Sequence, residues 1–341
     1  MNSTAVRFGV VARVASGVFA RYGYALFASI LLAALLIANV IRDPSLLTSS
    51  NALDTFSTFA PLLVLTIAVT PSMLSGHGGI DLSLGPYAGF ATVLIGTYLN
   101  VGTLGTPWVV VPLILAGGLV LGLLNGLLVT VVRLQPIIAT LGTYLILSGL
   151  AENYAPGSGG TVPQWVTNIS GNVVDIVIVL IVILVWLIGK RTQFFTWLMA
   201  VGRDDRTAYS SGISVTVVRT TAYAIGGLLA GVAGIVLTAL ISGASSTVGA
   251  PYTLTAIAAA ALGGTSLAGG SGGLLGAVVG ALDIFFVENL ITLANVSPFA
   301  LNLVYGAILV VALIINAAVA RRSASRLLMS GGDEVRASSV A

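Results

Sequence analysis

The 341-residue chain contains no cysteine, which excludes disulfides, thiolate nucleophiles and thiolate metal centres. It has one histidine, His77, so a conventional multi-histidine metal site is excluded as well. Charge is scarce: Asp, Glu, Lys and Arg make up 7% of the residues, against about 25% in a soluble domain. So few charges cannot cover a globule in water. With 57% hydrophobic residues and a mean hydropathy of +1.06, lipid is the solvent that fits. Lysine occurs once, as Lys190 in IGKRT, without the glycine spacing that wraps a phosphate. Nucleotide hydrolysis is therefore excluded from this chain. A pI near 9.3 invites a nucleic-acid reading, but the net charge is only +3 and the basic residues are spread over short loops. No nucleophile–base pair or metal constellation is present, which argues against an enzyme.

What is present is apolar sequence in long runs. A helix needs about 20 apolar residues to cross a bilayer core. That rule predicts an all-α, polytopic bundle of about ten spans: 24–41, 57–75, 84–99, 108–132, 136–152, 173–189, 220–241, 253–268, 272–292 and 299–319. The pieces 84–99 and 253–268 are short and border glycine-rich turns, so each reads equally as a broken or tilted helix. The 41 glycines sit within apolar runs, where small residues let helix backbones approach. With the N-terminus inside, thirteen of the fourteen Lys and Arg fall on the cytoplasmic side and only Arg42 lies outside. Both termini are then cytoplasmic: a tail over 1–23, a single transmembrane domain over 24–319, and a tail over 320–341. The first span, with its basic leader, reads as a retained anchor. Trp108 and Trp165 fall at the outer interface, Trp186 and Trp197 near the inner one.

Four stretches carry more than hydropathy. GHGGIDLSLG, Gly76 to Gly85, joins the second and third spans; GGTSLAGG, Gly263 to Gly270, joins two others in the same orientation. The two align as a weak internal repeat, of the sort left by duplicated membrane folds. The loop Lys190 to Arg219 holds five basic residues and the pair Asp204–Asp205. Its apolar cluster Phe194, Phe195, Trp197 and Leu198 predicts a short helix lying at the membrane face. The outer loop Asn153 to Asn172 is polar and rich in Gly and Pro. Acidic residues inside the membrane are expensive and usually face a bundle interior or a wet cavity. Asp283, near the middle of 272–292, and Glu288 beyond it are candidate pathway residues, reading either substrate hydroxyls or protons; an equally open reading is a carboxylate satisfied by neighbouring Ser, Thr or Asn. His77, a lone loop histidine, reads as solvated.

These residues resemble a known family. GGIDLSLG (Gly78 to Gly85), LNGLLVTVVRLQPIIATLGT (Leu124 to Thr143), LGGTSLAGGSGGLLGAVVGAL (Leu262 to Leu282) and AVGRDDRTAYSSGI (Ala200 to Ile213) are similar, in order, to the ribose-type monosaccharide permeases of bacterial ABC importers. The resemblance covers about residues 55 to 319. It implies a permease in the inner membrane, paired with itself or a sister permease and surrounded by lipid. It also implies a separate ATPase that carries ATP and Mg, and a periplasmic sugar-binding protein that delivers the cargo. The ATPase-coupling residues would be Ala200, Val201, Gly202, Arg203, Asp204, Asp205, Arg206, Thr207, Ala208, Ser211, Gly212 and Ile213. The translocation pathway and signature would include Gly78, Gly79, Ile80, Asp81, Leu82, Ser83, Gln135, Pro136, Thr140, Asp283 and Glu288. The outer loop around Pro156 to Trp165 would help meet the binding protein. His77, Ser148, Phe195 and Thr207 depart from the family pattern; the first two bear on cargo, the others on a matched ATPase. The rival readings are another cargo, such as branched-chain amino acids or nucleosides, and a proton-driven carrier using Asp283 and Glu288.

Overall fold

A computed structural model describes residues 27–155 and 157–294, together with positions 303, 306, 307 and 310. The expected tails (1–23 and 320–341), Pro156 and all but those four positions of the 299–319 span lie outside the described residues. Twelve helices are described from Phe27 to Leu293. They are α1 (Phe27–Arg42), α2 (Ser49–Leu74), α3 (Leu84–Val93), α4 (Pro107–Thr130), α5 (Pro136–Tyr154), α6 (Gln164–Thr167) and α7 (Val173–Gly189). The remainder are α8 (Gln193–Arg203), α9 (Asp205–Ser210), α10 (Val215–Ile241), α11 (Gly249–Leu262) and α12 (Leu274–Leu293). The only sheet among the described residues is a two-residue ribbon, β1 (Ser158–Gly159) antiparallel to β2 (Ala244–Ser245).

Helix starts follow from local chemistry. Pro107 and Pro136 stand in the first turns of α4 and α5, where a missing N–H costs nothing. Asn172 and Asp204 cap α7 and α9 through side-chain oxygens. On α7 the buried residues Asp175, Val179, Val182 and Trp186 form one stripe, while Val177, Leu180, Ile181, Leu184, Val185 and Ile188 are exposed. Such a face excludes water, and lipid is the medium that accepts it.

Among the described residues, four helices are long and apolar enough to cross a bilayer: Asn51–Leu74, Pro107–Thr130, Val215–Ile241 and Leu274–Leu293. The α7–α8 pair, bent by 77°, counts as a fifth if taken as one span. The two segments expected to be short are short. Helix α3 runs ten residues before a π turn at Leu94–Tyr98, and α11 runs fourteen. At 1.5 Å per residue, α11 spans about 21 Å, less than the ~30 Å hydrocarbon core. Several boundaries move, among them the start of the helix expected from 57, which begins at Ser49. The helix expected from 220 begins at Val215, which places Arg219 inside α10. The one expected over 253–268 ends at Leu262, because Gly263 and Gly264 break it.

Helix α10 is the hub, packing on α4, α2 and α3. Its seam with α4 is built from Gly118, Gly122 and Gly126, one per turn, against Gly227, Tyr223 and Thr220. A Cβ at Gly118 or Gly122 would overlap backbone carbonyls of α10, so the approach exists only because these positions lack side chains. The short helices α3 and α11 meet in the same way, through Gly85, Gly89 and Gly249. The two glycine-rich hairpins are therefore not copies in length: long α2 leads into short α3, and short α11 leads into long α12.

Candidate functional site

The loop Ser75–Ser83 is held by polar contacts at Asp81 and Ser83, while His77 is exposed, as expected of a lone loop histidine. Asp81 Oδ1 accepts from the Ser83 amide at 3.0 Å and the Ser83 hydroxyl at 2.7 Å, an Asx turn that sets the start of α3. The Asn125 amide of α4 donates to Ser83 Oγ at 2.8 Å and reaches Asp81 Oδ1 at 3.5 Å. Thr143 of α5 donates to Asn125 Oδ1 at 3.0 Å, and Thr140 donates to the Ile80 carbonyl at 3.1 Å. Asp81, Ser83, Asn125 and Thr140 are all fully buried. Three helices are thus tied through residues from two of the blocks that carried the family resemblance. Asn125 and Thr143, absent from the expected site residues, sit at the centre of this network. The signal that could have found Asn125 is plain: it is the one amide in an apolar 24-residue helix without charge. Asp81 Oδ2 and the Tyr223 hydroxyl are buried here without a hydrogen-bond partner among the described residues.

The 190–219 segment folds as α8, α9 and the first turn of α10. Helix α8 buries Leu198, Val201 and Gly202 and leaves Trp197 exposed, while Phe195 sets its ring edge-on to Trp186. Its end meets both glycine-rich loops. Gly202 lies against the Leu74 carbonyl, Gly76 and Gly270 so closely that no Cβ fits at Gly202 or at Gly76. The Arg203 guanidinium donates to the Gly270 carbonyl at 3.2 Å, and the Gly270 amide donates to the Leu74 carbonyl at 3.0 Å. Arg219 donates to the Ser75 carbonyl at 3.2 Å and pairs with Asp205 at 3.2 Å. Gly202, Arg203 and Asp205 are therefore brought together with both hairpins. Arg206, Ser211 and Gly212 are exposed around the tip.

Asp204 caps α9: its carboxylate accepts from the Thr207 hydroxyl at 2.7 Å and from the Thr207 and Arg206 amides. Thr207, a departure from the family pattern, thus braces the cap. These bonds, Thr207's first, hold the Asp204 carboxyl below its ordinary 3.8. A carboxylate depressed by folding stabilises above its unfolded value, and the contribution is lost as pH falls through the depressed one. Amide exchange at Arg206 and Thr207, corrected for intrinsic rates, is therefore expected to accelerate selectively below that value. Asp204→Asn should remove this pH dependence; equal rates in both proteins at every pH would refute the cap.

The membrane acids separate. Asp283 on α12 is fully buried, and neither carboxylate oxygen has a hydrogen-bond partner among the described residues. Glu288 lines a cavity of about 370 Å³ with Asn51, Asp54, Thr55, Thr58 and Asn289, closed on one side by Phe285. Asp283 is absent from its lining. The 153–172 loop reaches the same end of the bundle, where the Gly171 amide donates to the Ser57 hydroxyl at 2.8 Å, and it is stitched down. It pairs through β1–β2, Thr161 N donates to the Gly96 carbonyl, and the Trp165 indole donates to the Gly105 carbonyl at 2.7 Å. A cavity of about 470 Å³ opens beside the ribbon, lined by Ser158, Gly160, Ser242 and Ser245 among others. Among the described residues, no three His, Asp or Glu side chains gather as a metal site.

Comparison with known proteins identifies the family. Residues 51–313 match the family described as branched-chain amino acid transport system / permease component. The ribose import permease protein RbsC of Bacillus subtilis (strain 168) is 33% identical over 285 residues, covering 81% of this chain and 87% of that protein. Its counterpart in Escherichia coli (strain K12) is 28% identical, covering 80% and 88%. The autoinducer 2 import system permease protein LsrD of Klebsiella pneumoniae is 29% identical, covering 82% and 88%. No solved structure matches the chain. An apolar helical bundle with the signature loop locked to α4 and α5, matched over most of its length, places this chain in the ribose-type branch of the ABC-transporter permease family.

Proposed function

We propose that this chain is the membrane-spanning subunit of an importer for a monosaccharide or similar polyol, driven by a separate ATPase docked on 190–219. The observation that carries the reading is the junction where Gly202 and Arg203 touch both glycine-rich loops at once. Closure of an ATPase dimer on ATP and Mg would push α8 and α9, and the junction would pass that push to α2–α3 and α11–α12 together. Two permeases, identical or sister chains, rocking in this way give alternating access. The relatives' names, ribose and autoinducer 2 import, favour a hydroxyl-rich cargo. In this reading Asp81 holds the hinge of α3 through Ser83 and Asn125. Glu288, with the amides and hydroxyls around it, faces cargo hydroxyls. A periplasmic binding protein would dock over the 153–172 loop and its ribbon. The termini are cytoplasmic and the membrane is the bacterial inner one.

The test is to tag the chain in its host, purify it in mild detergent and identify every stoichiometric partner. An equimolar ATP-binding-cassette protein is expected, with uptake of the cargo that survives Asp283→Asn within about twofold, since an amide is isosteric with an unpaired carboxyl. Absence of any ATPase, together with loss of uptake in Asp283→Asn, would replace this reading with a proton-driven carrier.

A further inference from the structure

A third cavity, of about 590 Å³, lies between the α2–α3 loop, the α4–α5 turn and the α9–α10 corner. Its walls include His77, Arg133, Gln135, Thr216, Arg219 and Asp205. The side chains of His77, Arg133, Gln135 and Thr216 are exposed and make no hydrogen bond or ion pair among the described residues, so their donors face solvent and are open to a ligand that displaces water. Arg219 spends its guanidinium on the Ser75 carbonyl and on Asp205. Asp205 is the only acid in the lining, and this pairing offsets it. Arg133 therefore leaves the cavity with a net positive charge.

The backbone points the same way. Only three non-glycine residues among those described have positive φ, and two of them, His77 at 58° and Arg133 at 64°, line this cavity. A left-handed non-glycine residue costs about 1–2 kcal/mol, so two separate segments carry strain at the positions that face the space. At His77 the cost is avoidable, because Gly76 and Gly78 on either side adopt positive φ freely.

We propose that this cavity binds a phosphate-bearing small molecule, the phosphate held by Arg133 with Arg219 behind it and the remainder met by His77, Gln135 and Thr216. A guanidinium fork matches phosphate oxygens bidentately, and a phosphate has acceptors enough to satisfy several uncommitted donors. The volume falls within the range of about 300–1,000 Å³ typical of small-ligand sites, which leaves room for a sugar-sized body. Because the cavity joins the α4–α5 turn to Asp205 and Arg219, occupancy would tie that turn to the segment that moves in the proposed transport cycle. On the proposed sidedness the ligand comes from the cytoplasm. Phosphorylated product could then restrain further import, a consequence that rests on the transport reading, whereas binding itself does not.

The experiment uses the full chain without partners, so its failure is separate from failure of the transport reading. Equilibrium dialysis in neutral detergent with radiolabelled inorganic phosphate, and with glycerol 3-phosphate as competitor, reads the soluble source. Native mass spectrometry of chain extracted from phosphatidylcholine vesicles containing one-quarter phosphatidylglycerol reads a lipid headgroup. Saturable phosphate binding, displaced by glycerol 3-phosphate and weakened at least tenfold in Arg133→Gln, is the expected result. His77→Gly relieves the strained φ and should fold normally while binding several-fold more weakly. Arg42→Gln, outside the cavity, should bind as the parent does. Phosphatidylglycerol retained by the parent and lost in Arg133→Gln, with no binding of soluble phosphate, would overturn the small-molecule proposal in favour of a lipid site. Binding of neither probe, or binding unchanged by Arg133→Gln in a folded protein, would overturn the site altogether.

Discussion

Gly202→Val is expected to abolish uptake, by at least about a hundredfold, while the chain still reaches the membrane; a hundredfold corresponds to about 2.7 kcal/mol. The first atom of any side chain at 202 would overlap the Leu74 carbonyl oxygen and crowd the Gly270 amide. Both are backbone, so no rotamer change relieves the clash, and overpacking of this kind costs about 1–3 kcal/mol. Separation of α8 from the two loops is the cheapest escape. That movement breaks the Arg203–Gly270 and Gly270–Leu74 hydrogen bonds and severs the proposed link between ATPase and hairpins. Membrane abundance by immunoblot, ATPase retention on purification and cargo uptake should be measured together. Loss of uptake with the ATPase still bound is the signature of uncoupling. Gly189→Ala is the contrast, because a Cβ there meets nothing within 4 Å and it should transport normally. Normal uptake in Gly202→Val would show that the junction transmits nothing.

The difference between those two glycines marks where sequence reading stops. Both lie in or beside the same loop, and composition treats them alike. Only the fold sets Gly202 against residues 74, 76 and 270, more than sixty positions away in either direction. The apolar runs, by contrast, are local properties, so α4, α7 and α12 appear close to where hydropathy placed them. The short lengths of α3 and α11 were legible from their glycine borders, whereas their mutual packing through Gly85, Gly89 and Gly249 was not. The 190–219 segment announced an amphipathic helix through Phe194, Phe195 and Leu198, and α8 is that helix. Arg219 was read as a loop cation because charge ends a hydropathy run. In the structure it belongs to α10, which tolerates it because the Ser75 carbonyl and Asp205 receive its donors. Asp283 and Asp81 are both buried, yet one has no hydrogen-bond partner among the described residues and the other anchors a network. Sequence shows both as acids in apolar surroundings and cannot tell an unpartnered carboxyl from a latch.

The latch makes the second large prediction. Asn125→Leu removes the amide that bridges α4 to Ser83 and Asp81, leaving a fully buried carboxylate with Ser83 alone. Breaking a buried polar network on one side costs about 2–4 kcal/mol, since the remaining groups lose a partner and cannot regain water. For a chain of this size that corresponds to a fall of about 3–6 °C in thermal midpoint. Thr143→Val should cost less, about 1 kcal/mol, because it deletes a single neutral bond to Asn125. Asn125→Asp should be worst of the three: it sets a second carboxylate beside Asp81, where the present amide nitrogen stands 3.5 Å away. Asp81→Asn combined with Asn125→Asp restores one amide and one carboxylate with their positions exchanged, and is expected to recover about half of the lost stability. Midpoints follow from size-exclusion of the full chain after heating in detergent. A ranking in which Asn125→Leu equals the parent, or in which the exchanged pair gains nothing over Asn125→Asp, would mean that the three helices are held by packing alone. Rescue would instead identify the Asp81–Asn125 contact as the joint that fixes α3 against α4, the element any hinge at residues 76–83 must turn against.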